Sequence, residues 1–133
     1  SKAALDKAIW AYQQIKDKES EAKCLIYRAE IERLLGNLDS ALLAYKKAQE
    51  IAKEITEYWV VAAALRGIGD ISFSYGKSDE AKKYYNQALS LFEKINESIG
   101  QSSTLRKMGE LENKLDNYSK ARECSERALA IAK

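Results

Sequence analysis

Histidine and proline are both absent from this chain of 133 residues. Histidine is the side chain that most often serves as general base, as partner of a Ser or Cys nucleophile and as metal ligand, so its absence argues against an enzyme. The two cysteines, Cys24 and Cys124, are too few to form a zinc site. The composition therefore predicts a non-catalytic protein, and we expect no metal and no cofactor.

An excess of one charge and a long apolar run are also missing. Lys and Arg number 22 against 20 Asp and Glu, which leaves a net charge of +2. Proteins that bind nucleic acid usually carry a basic excess or a basic stripe, because phosphate contacts dominate their affinity. The longest apolar run, residues 59–65, is far too short to cross a bilayer. We therefore expect neither nucleic acid nor a membrane as a partner.

What the sequence does contain is a repeat with a period of 40 residues. The segment 36–41 (GNLDSA) returns at 76–81 (GKSDEA) and, more weakly, at 116–121 (DNYSKA). Such a fixed period indicates one supersecondary unit stacked on copies of itself. Stacking would hold Cys24 and Cys124 well beyond the reach of a disulfide, so we expect free thiols, as is usual in the reducing cytoplasm.

Helix formers dominate every unit of the repeat. Ala, Leu, Glu, Lys and Gln are abundant, and no segment alternates between apolar and polar residues as a half-buried strand does. Clusters of Gly, Asn, Asp and Ser mark the breaks between helices. We predict seven helices, at 3–17, 20–35, 38–55, 58–75, 78–95, 98–115 and 118–132. The short turns between them predict antiparallel helical hairpins.

The second unit carries the most complete motif. Ile68 and Gly69 lie in its first helix, Gly76 in its turn, and Ala81 and Tyr85 in its second helix. This pattern resembles the tetratricopeptide repeat family. The other units keep parts of it: Ala29, Gly36, Ala41 and Tyr45 in the first, and Met108, Gly109, Ala121 and Ala128 in the third. The resemblance implies an all-α fold, a right-handed α-α superhelix (solenoid) of antiparallel hairpins.

The chain departs from the common form of that family in two ways. Its period is longer, which indicates helices extended by close to a turn each. In addition, Glu32, Ser72 and Glu112 stand where the family signature prefers Tyr. We expect the contact that this Tyr makes in the family to be changed in every unit.

The first helix is predicted to be the second half of an earlier, shorter repeat, because residues 6–12 match residues 39–45 at an offset of 33. We accordingly divide a single domain, 1–133, into a leading helix (1–18) and repeats at 19–56, 57–96 and 97–133. Repeat arrays usually end in polar capping elements, yet apolar residues such as Leu5 and Leu129 lie in the terminal helices. We expect a fragment of a longer array; the alternative is end-to-end self-association with another copy.

The family resemblance also implies a binding surface, since the first helix of each hairpin lines a concave face on which peptides bind. Aromatic and Arg side chains usually carry most of the binding energy at interfaces. The predicted partner-binding residues on that face are Tyr27, Glu30, Arg33, Arg66, Asp70, Phe73, Arg106, Glu110 and Asn113. We expect Arg66 with Asp70, and Arg106 with Glu110, to form ion pairs four residues apart.

The function implied is that of a cytoplasmic protein–protein or peptide interaction scaffold within a larger regulatory or assembly protein. A first alternative is an oligomerisation module that pairs through its uncapped ends. A second is a helical repeat that binds single-stranded RNA, which the long period and the carboxylates on the face disfavour. Binding of the acidic tails of chaperones is also disfavoured, because Asp70 and Glu110 would repel a terminal carboxylate.

Overall fold

A computed structural model describes residues 2–132, and in this range the chain forms seven α-helices and no strand. The helices are α1 (Lys2–Gln14), α2 (Lys18–Leu34), α3 (Leu38–Glu54), α4 (Tyr58–Ser74), α5 (Ser78–Lys94), α6 (Ser98–Lys114) and α7 (Tyr118–Ala132). The all-α prediction is confirmed. The first turn comes earlier than predicted, because the Asp17 carboxylate accepts a hydrogen bond from the Ser20 amide (3.1 Å) and caps α2.

The six turns share one backbone geometry. Each contains one residue with positive φ, and these residues recur every 20 positions: Lys16, Gly36, Thr56, Gly76, Asn96 and Asp116. At Gly36 the amide donates to the carbonyl of Arg33 (3.0 Å) and the next amide, of Asn37, donates to Glu32 (2.8 Å). This pair of hydrogen bonds is the Schellman motif, which ends a helix and satisfies its last carbonyls.

Regular turns place α1 in the same 40-residue register as the other helices. Lys16 and Thr56 occupy equivalent places at the ends of α1 and α3, with φ values of 59° and 56°. The predicted offset of 33 is therefore wrong. Burial agrees with this correction, since that offset would match Ala11 to Ala44, and Ala11 is exposed whereas Ala44 is buried.

The helices form two rows. Each helix packs against the next one along the chain, and α4 also contacts both α2 and α6. Within residues 2–132, α1, α3, α5 and α7 make no such contacts with one another. Since α2, α4 and α6 lie closer together, they form the inner row of a curved stack, and the other four helices form its outer row. The result is an all-α superhelix of helical hairpins.

Glycines let aromatic rings of the outer row lie against backbones of the inner row. A Cβ added to Gly67 would overlap the ring of Tyr45, and one added to Gly100 would overlap the ring of Phe92. Gly69 lies against Tyr85 in the same way, because a Cβ there would come within 2.8 Å of the ring. These rings are fully buried, so each fills the space between an outer helix and an inner helix.

Both cysteines are free thiols, with Cys124 buried and Cys24 half-buried, and burial raises the pKa of each. Trp59 packs partly buried against the main core, whereas Trp10 is exposed. None of the helices in residues 2–132 has the length and apolarity that crossing a membrane requires.

Replacing Gly67 with Ala should lower the free energy of unfolding by about 1–3 kcal/mol, since the new methyl group meets a buried ring that cannot move freely. Gly109 is the matched control, because a Cβ there comes no closer than 3.5 Å to its neighbours. Gly109→Ala should stabilise the helix by up to about 1 kcal/mol. Urea denaturation followed by circular dichroism measures both, and equal effects of the two changes would contradict the packing argument.

Candidate binding face

The inner face is the side of α2, α4 and α6 that points away from the outer helices, and the predicted binding residues lie on these three helices. They differ in exposure. Tyr27, Arg106, Glu110 and Asn113 are exposed, whereas Glu30, Arg33, Arg66, Asp70 and Phe73 are partly buried. The structure thus separates residues that a partner could contact directly from residues that are already held by neighbours.

Asp70 is the centre of a polar network in the middle of the inner face. Its carboxylate accepts a hydrogen bond from the Tyr85 hydroxyl (2.6 Å) and forms an ion pair with the Lys107 ammonium (3.0 Å). The Arg33 Nε lies 3.9 Å from the same carboxylate. Because these groups come from α2, α4, α5 and α6, one side chain of α4 links all three inner helices to the outer row.

The two tyrosines beneath this network keep their protons. Burial, followed by the charge of Asp70 and the hydrogen bond to it, raises the pKa of Tyr85 well above its ordinary value. Burial likewise raises the pKa of Tyr45, although the nearby Arg33 guanidinium opposes that shift. Both hydroxyls therefore remain neutral hydrogen-bonding groups at physiological pH.

The spacing within the network explains why the sequence pattern did not reveal it. Arg33 and Asp70 are 37 residues apart, and so are Asp70 and Lys107. This spacing is three residues shorter than the period of the repeat. Three residues are close to one helical turn, so each contact joins a residue of one inner helix to a residue of the next that lies about one turn before its equivalent position. Lys107 lies outside the nine predicted residues, and a search for contacts at the repeat period minus three would have found it.

Both predicted ion pairs within one helix, Arg66 with Asp70 and Arg106 with Glu110, are wrong, since neither forms in the part of the chain that the structure describes. The Arg66 guanidinium instead lies over the ring of Phe92, 5.6 Å from its centroid. Asp70 contacts Tyr85, Lys107 and Arg33 of the neighbouring helices instead. Arg66 therefore covers the core between α4 and α5, and its role on the inner face is partly structural.

The end of the face nearer the hairpin turns has a second contact between a cation and a ring. The Lys114 ammonium lies 5.5 Å from the centroid of the Phe73 ring. A cation placed over an aromatic face is held by the quadrupole of the ring. Asn113 is exposed beside Lys114 on α6. Among residues 2–132 no cluster of three His, Cys, Asp or Glu side chains is placed to hold a metal ion.

Comparison with known proteins gives a family and a fold. The family model described as tetratricopeptide repeat matches residues 60–133, more than half of the chain. Comparison with curated proteins gave no match.

Two solved structures have the same fold. BtubC (BKLC) from P. vanneervenii superposes with a TM-score of 0.83 at 23% identity, over 97% of this chain and 53% of that one. A Rap protein complexed with Competence and Sporulation Factor gives a TM-score of 0.90 at 23% identity, over 99% of this chain and 37% of that one. The chain thus spans about half the length of the first structure and little more than a third of the second.

Replacing Asp70 with Ala should cost about 2 kcal/mol of stability, because the change leaves Lys107, Arg33 and the Tyr85 hydroxyl without their shared acceptor. Glu110 occupies the equivalent position in the next repeat and is exposed, so Glu110→Ala should change stability by less than about 0.5 kcal/mol. Thermal and urea unfolding measure the difference. Similar losses for the two variants would show that the network does not hold the inner helices together.

Proposed function

Because the chain belongs to the tetratricopeptide repeat family, whose repeats form protein–protein interaction scaffolds, we propose that it is a non-catalytic scaffold that binds an extended segment of a partner protein on its inner face. The observation that carries this proposal is the network around Asp70, which ties the three inner helices into one rigid surface. A surface that is already ordered loses little conformational entropy on binding.

Two exposed side chains on this surface are suited to carry the binding energy. Tyr27 on α2 is 51% exposed, and Arg106 on α6 is exposed on the third inner helix. Aromatic and Arg side chains dominate the energy of protein interfaces. Since the two residues lie on the first and third inner helices, a partner that contacts both has to cross all three.

The charge of the face favours a partner segment with acidic side chains. The cations on it are Arg33, Arg66, Arg106, Lys107 and Lys114, and the carboxylates are Glu30, Asp70 and Glu110. Asp70 is already neutralised by Lys107, so it contributes little repulsion. The excess of two positive charges should therefore attract an acidic segment and make binding weaker at high salt.

We also propose that the binding face is formed by the repeats at 19–56, 57–96 and 97–133, with 1–18 as a leading helix, and that the protein works in the cytoplasm as part of a larger regulatory or assembly protein. The extensive packing of α2 with α3, of α4 with α5 and of α6 with α7 supports this division, because each pair forms one hairpin. The free cysteines fit a reducing compartment.

Self-association through the end of the stack is a second candidate, and one observation favours it. A cavity of about 680 Å³ lies between α6 and α7, and its lining includes Ile99, Ser102, Arg106, Ala128 and Leu129. Ile99 is 80% exposed and Leu129 is 65% exposed, although Leu89, the equivalent of Leu129 in the preceding repeat, is buried. A second copy that covered this groove would bury the same positions that α6 buries one repeat earlier.

The test of the inner face compares two charge-matched double variants in pull-downs from lysate of the source cells. Tyr27→Ala with Arg106→Glu alters the inner face, and the control, Tyr118→Ala with Lys83→Glu, alters exposed residues of the outer helices. We expect the inner-face variant to lose its partner by at least about tenfold, as hot-spot residues do, and the control to keep it.

Circular dichroism is the control that checks whether both variants remain folded. Equal binding by the two variants would contradict the proposal. Light scattering over a range of concentrations tests the second candidate, because self-association predicts a mass that rises with concentration and falls again in Leu129→Lys. Arg106 also lines the cavity between α6 and α7, so Leu129→Lys should still bind the partner if the inner face is the binding surface.

A further inference from the structure

A groove runs along the outer side of the stack between each pair of neighbouring outer helices. The outer helices within residues 2–132 make no contacts with one another, so the inner helix between them forms the floor of each groove. The groove between α3 and α5 contains a cavity of about 500 Å³, and Val61 and Leu65 of α4 form its floor. Val61 and Asp70 are nine residues apart and therefore lie on opposite sides of α4. This central outer groove is thus separate from the inner face.

Polar contacts cross the two flanking grooves. Over α2, the Gln13 side-chain amide donates a hydrogen bond to the Glu21 carboxylate (3.0 Å), which joins one wall to the floor. Over α6, the Arg127 guanidinium lies 3.8 Å from the Glu93 carboxylate, which joins the two walls. In each flanking groove, side chains of the protein therefore meet one another.

The equivalent positions leave the central outer groove open. Lys53 takes the place of Gln13 and Glu93, and Val61 takes the place of Glu21. Within residues 2–132, no carboxylate lies within ion-pairing distance of the Lys53 ammonium. An exposed cation therefore stands beside a floor position that is apolar here and polar in both flanking grooves.

The charge of the lining favours an anionic ligand. Lys53 is the one charged residue among the eight that line the cavity. Three carboxylates lie near Lys53 in the sequence, and each has another lysine beside it: Lys46 one turn before Glu50, Lys18 paired with Glu54 (2.8 Å) and Lys23 near Glu57. A ligand that brings a carboxylate to the groove is therefore favoured over one that brings a cation.

Side-chain amides form much of the walls. Gln49 of α3 lies on one wall, where the flanking grooves have the apolar Ile9 and Leu89, and Asn86 and Gln87 of α5 lie on the other wall. In the part of the chain that the structure describes, none of the three amide side chains has a hydrogen bond to another group of the protein. A side-chain amide can donate to a carbonyl and accept from an N–H group, so these walls suit the backbone of a peptide.

The length of the groove limits the ligand. Its lining on α5 runs from Asn86 to Leu91, a rise of five residues or about 7.5 Å. An extended chain rises about 3.3 Å per residue, so about two residues of a peptide fit. A chain that ends in an aliphatic residue brings an apolar side chain, a peptide group and a carboxylate within this length. An internal segment needs an acidic and an aliphatic side chain in succession to bring the same set.

We propose that the central outer groove is a peptide-binding site in addition to the inner face, and that it binds the C-terminus of a partner protein that ends in an aliphatic residue. The aliphatic side chain packs on Val61 and Leu65, and the terminal carboxylate pairs with the Lys53 ammonium. The amides of the walls hydrogen-bond to the last peptide groups. This site does not depend on the function proposed for the inner face, and the two surfaces can be occupied together.

The first test is an NMR titration with three probes. They are acetyl-Gly-Ser-Gly-Leu with a free carboxylate, the same peptide with a C-terminal amide, and acetyl-Gly-Ser-Gly-Ser with a free carboxylate. We expect the free leucine peptide to shift the side-chain amide resonances of Gln49, Asn86 and Gln87. Each of the other two peptides should bind at least about threefold more weakly, because it lacks either the carboxylate or the aliphatic side chain.

Two other side-chain amides show whether the peptide binds elsewhere. Asn113 reports on the inner face, and Gln13, which is held by Glu21, reports on the flanking groove over α2. Shifts confined to Asn113 would overturn the outer site and leave the function proposed for the inner face standing. Equal binding of the free and amidated leucine peptides, or no shift of the groove amides at millimolar peptide, would also overturn it.

Two variants of equal net charge separate the cation from the opening of the groove. Lys53→Gln removes one positive charge, whereas Lys53→Glu with Gln87→Arg removes two and restores one, and transfers the Glu93 and Arg127 pair of the next groove into this one. Both residues are exposed, so both variants should fold, which circular dichroism checks.

The single variant, Lys53→Gln, should bind the free and amidated leucine peptides equally. The double variant should bind the free peptide at least about tenfold more weakly than the original chain, because a carboxylate replaces the ammonium and an ion pair covers the floor. If either variant bound the free peptide as tightly as the original chain, the proposal would be wrong.

Discussion

The contact between Tyr85 and the Gly69 backbone is the interaction on which the inner face depends. Because Gly69 has no side chain, α5 lies close enough to α4 for the ring to fill the space between them. The same approach brings the Tyr85 hydroxyl to Asp70, which then holds Lys107 of α6 and faces Arg33 of α2. Core packing and surface electrostatics are therefore not separate here, since one ring contributes to both.

Tyr45, the equivalent ring one repeat earlier, packs against the inner helix that follows it and not the one before it, and the third repeat has no ring at this position and is packed less tightly. Tyr45 packs against Gly67 and approaches Arg33 with its hydroxyl. Ser125 takes this place in α7, where Gly109 is surrounded more loosely. The inner face is accordingly most tightly held around α4, and the exposed residues Arg106, Glu110 and Asn113 all belong to α6.

Much of this architecture could be predicted from the repeat alone. The helices recur with the period of the turns, and the all-α stack and the burial of the second-helix tyrosines result from apolar residues at helical spacing. The polar contacts could not be predicted in this way. Arg66 and Asp70 have the spacing of an ion pair within one helix, yet Asp70 is held by groups of neighbouring helices.

The sequence by itself determined the period, the helices and the family, because these depend on local propensity and on residues at fixed intervals, and the family resemblance in turn implied which helices form the inner face. Only the tertiary structure decided which charges meet. Arg33, Asp70 and Lys107 come together at a spacing of 37 residues, which differs from the repeat because their side chains meet across neighbouring inner helices. In the same way Glu32 and Glu112 look like ordinary surface charges in the sequence, and only packing against α1 and α5 shows that they are buried.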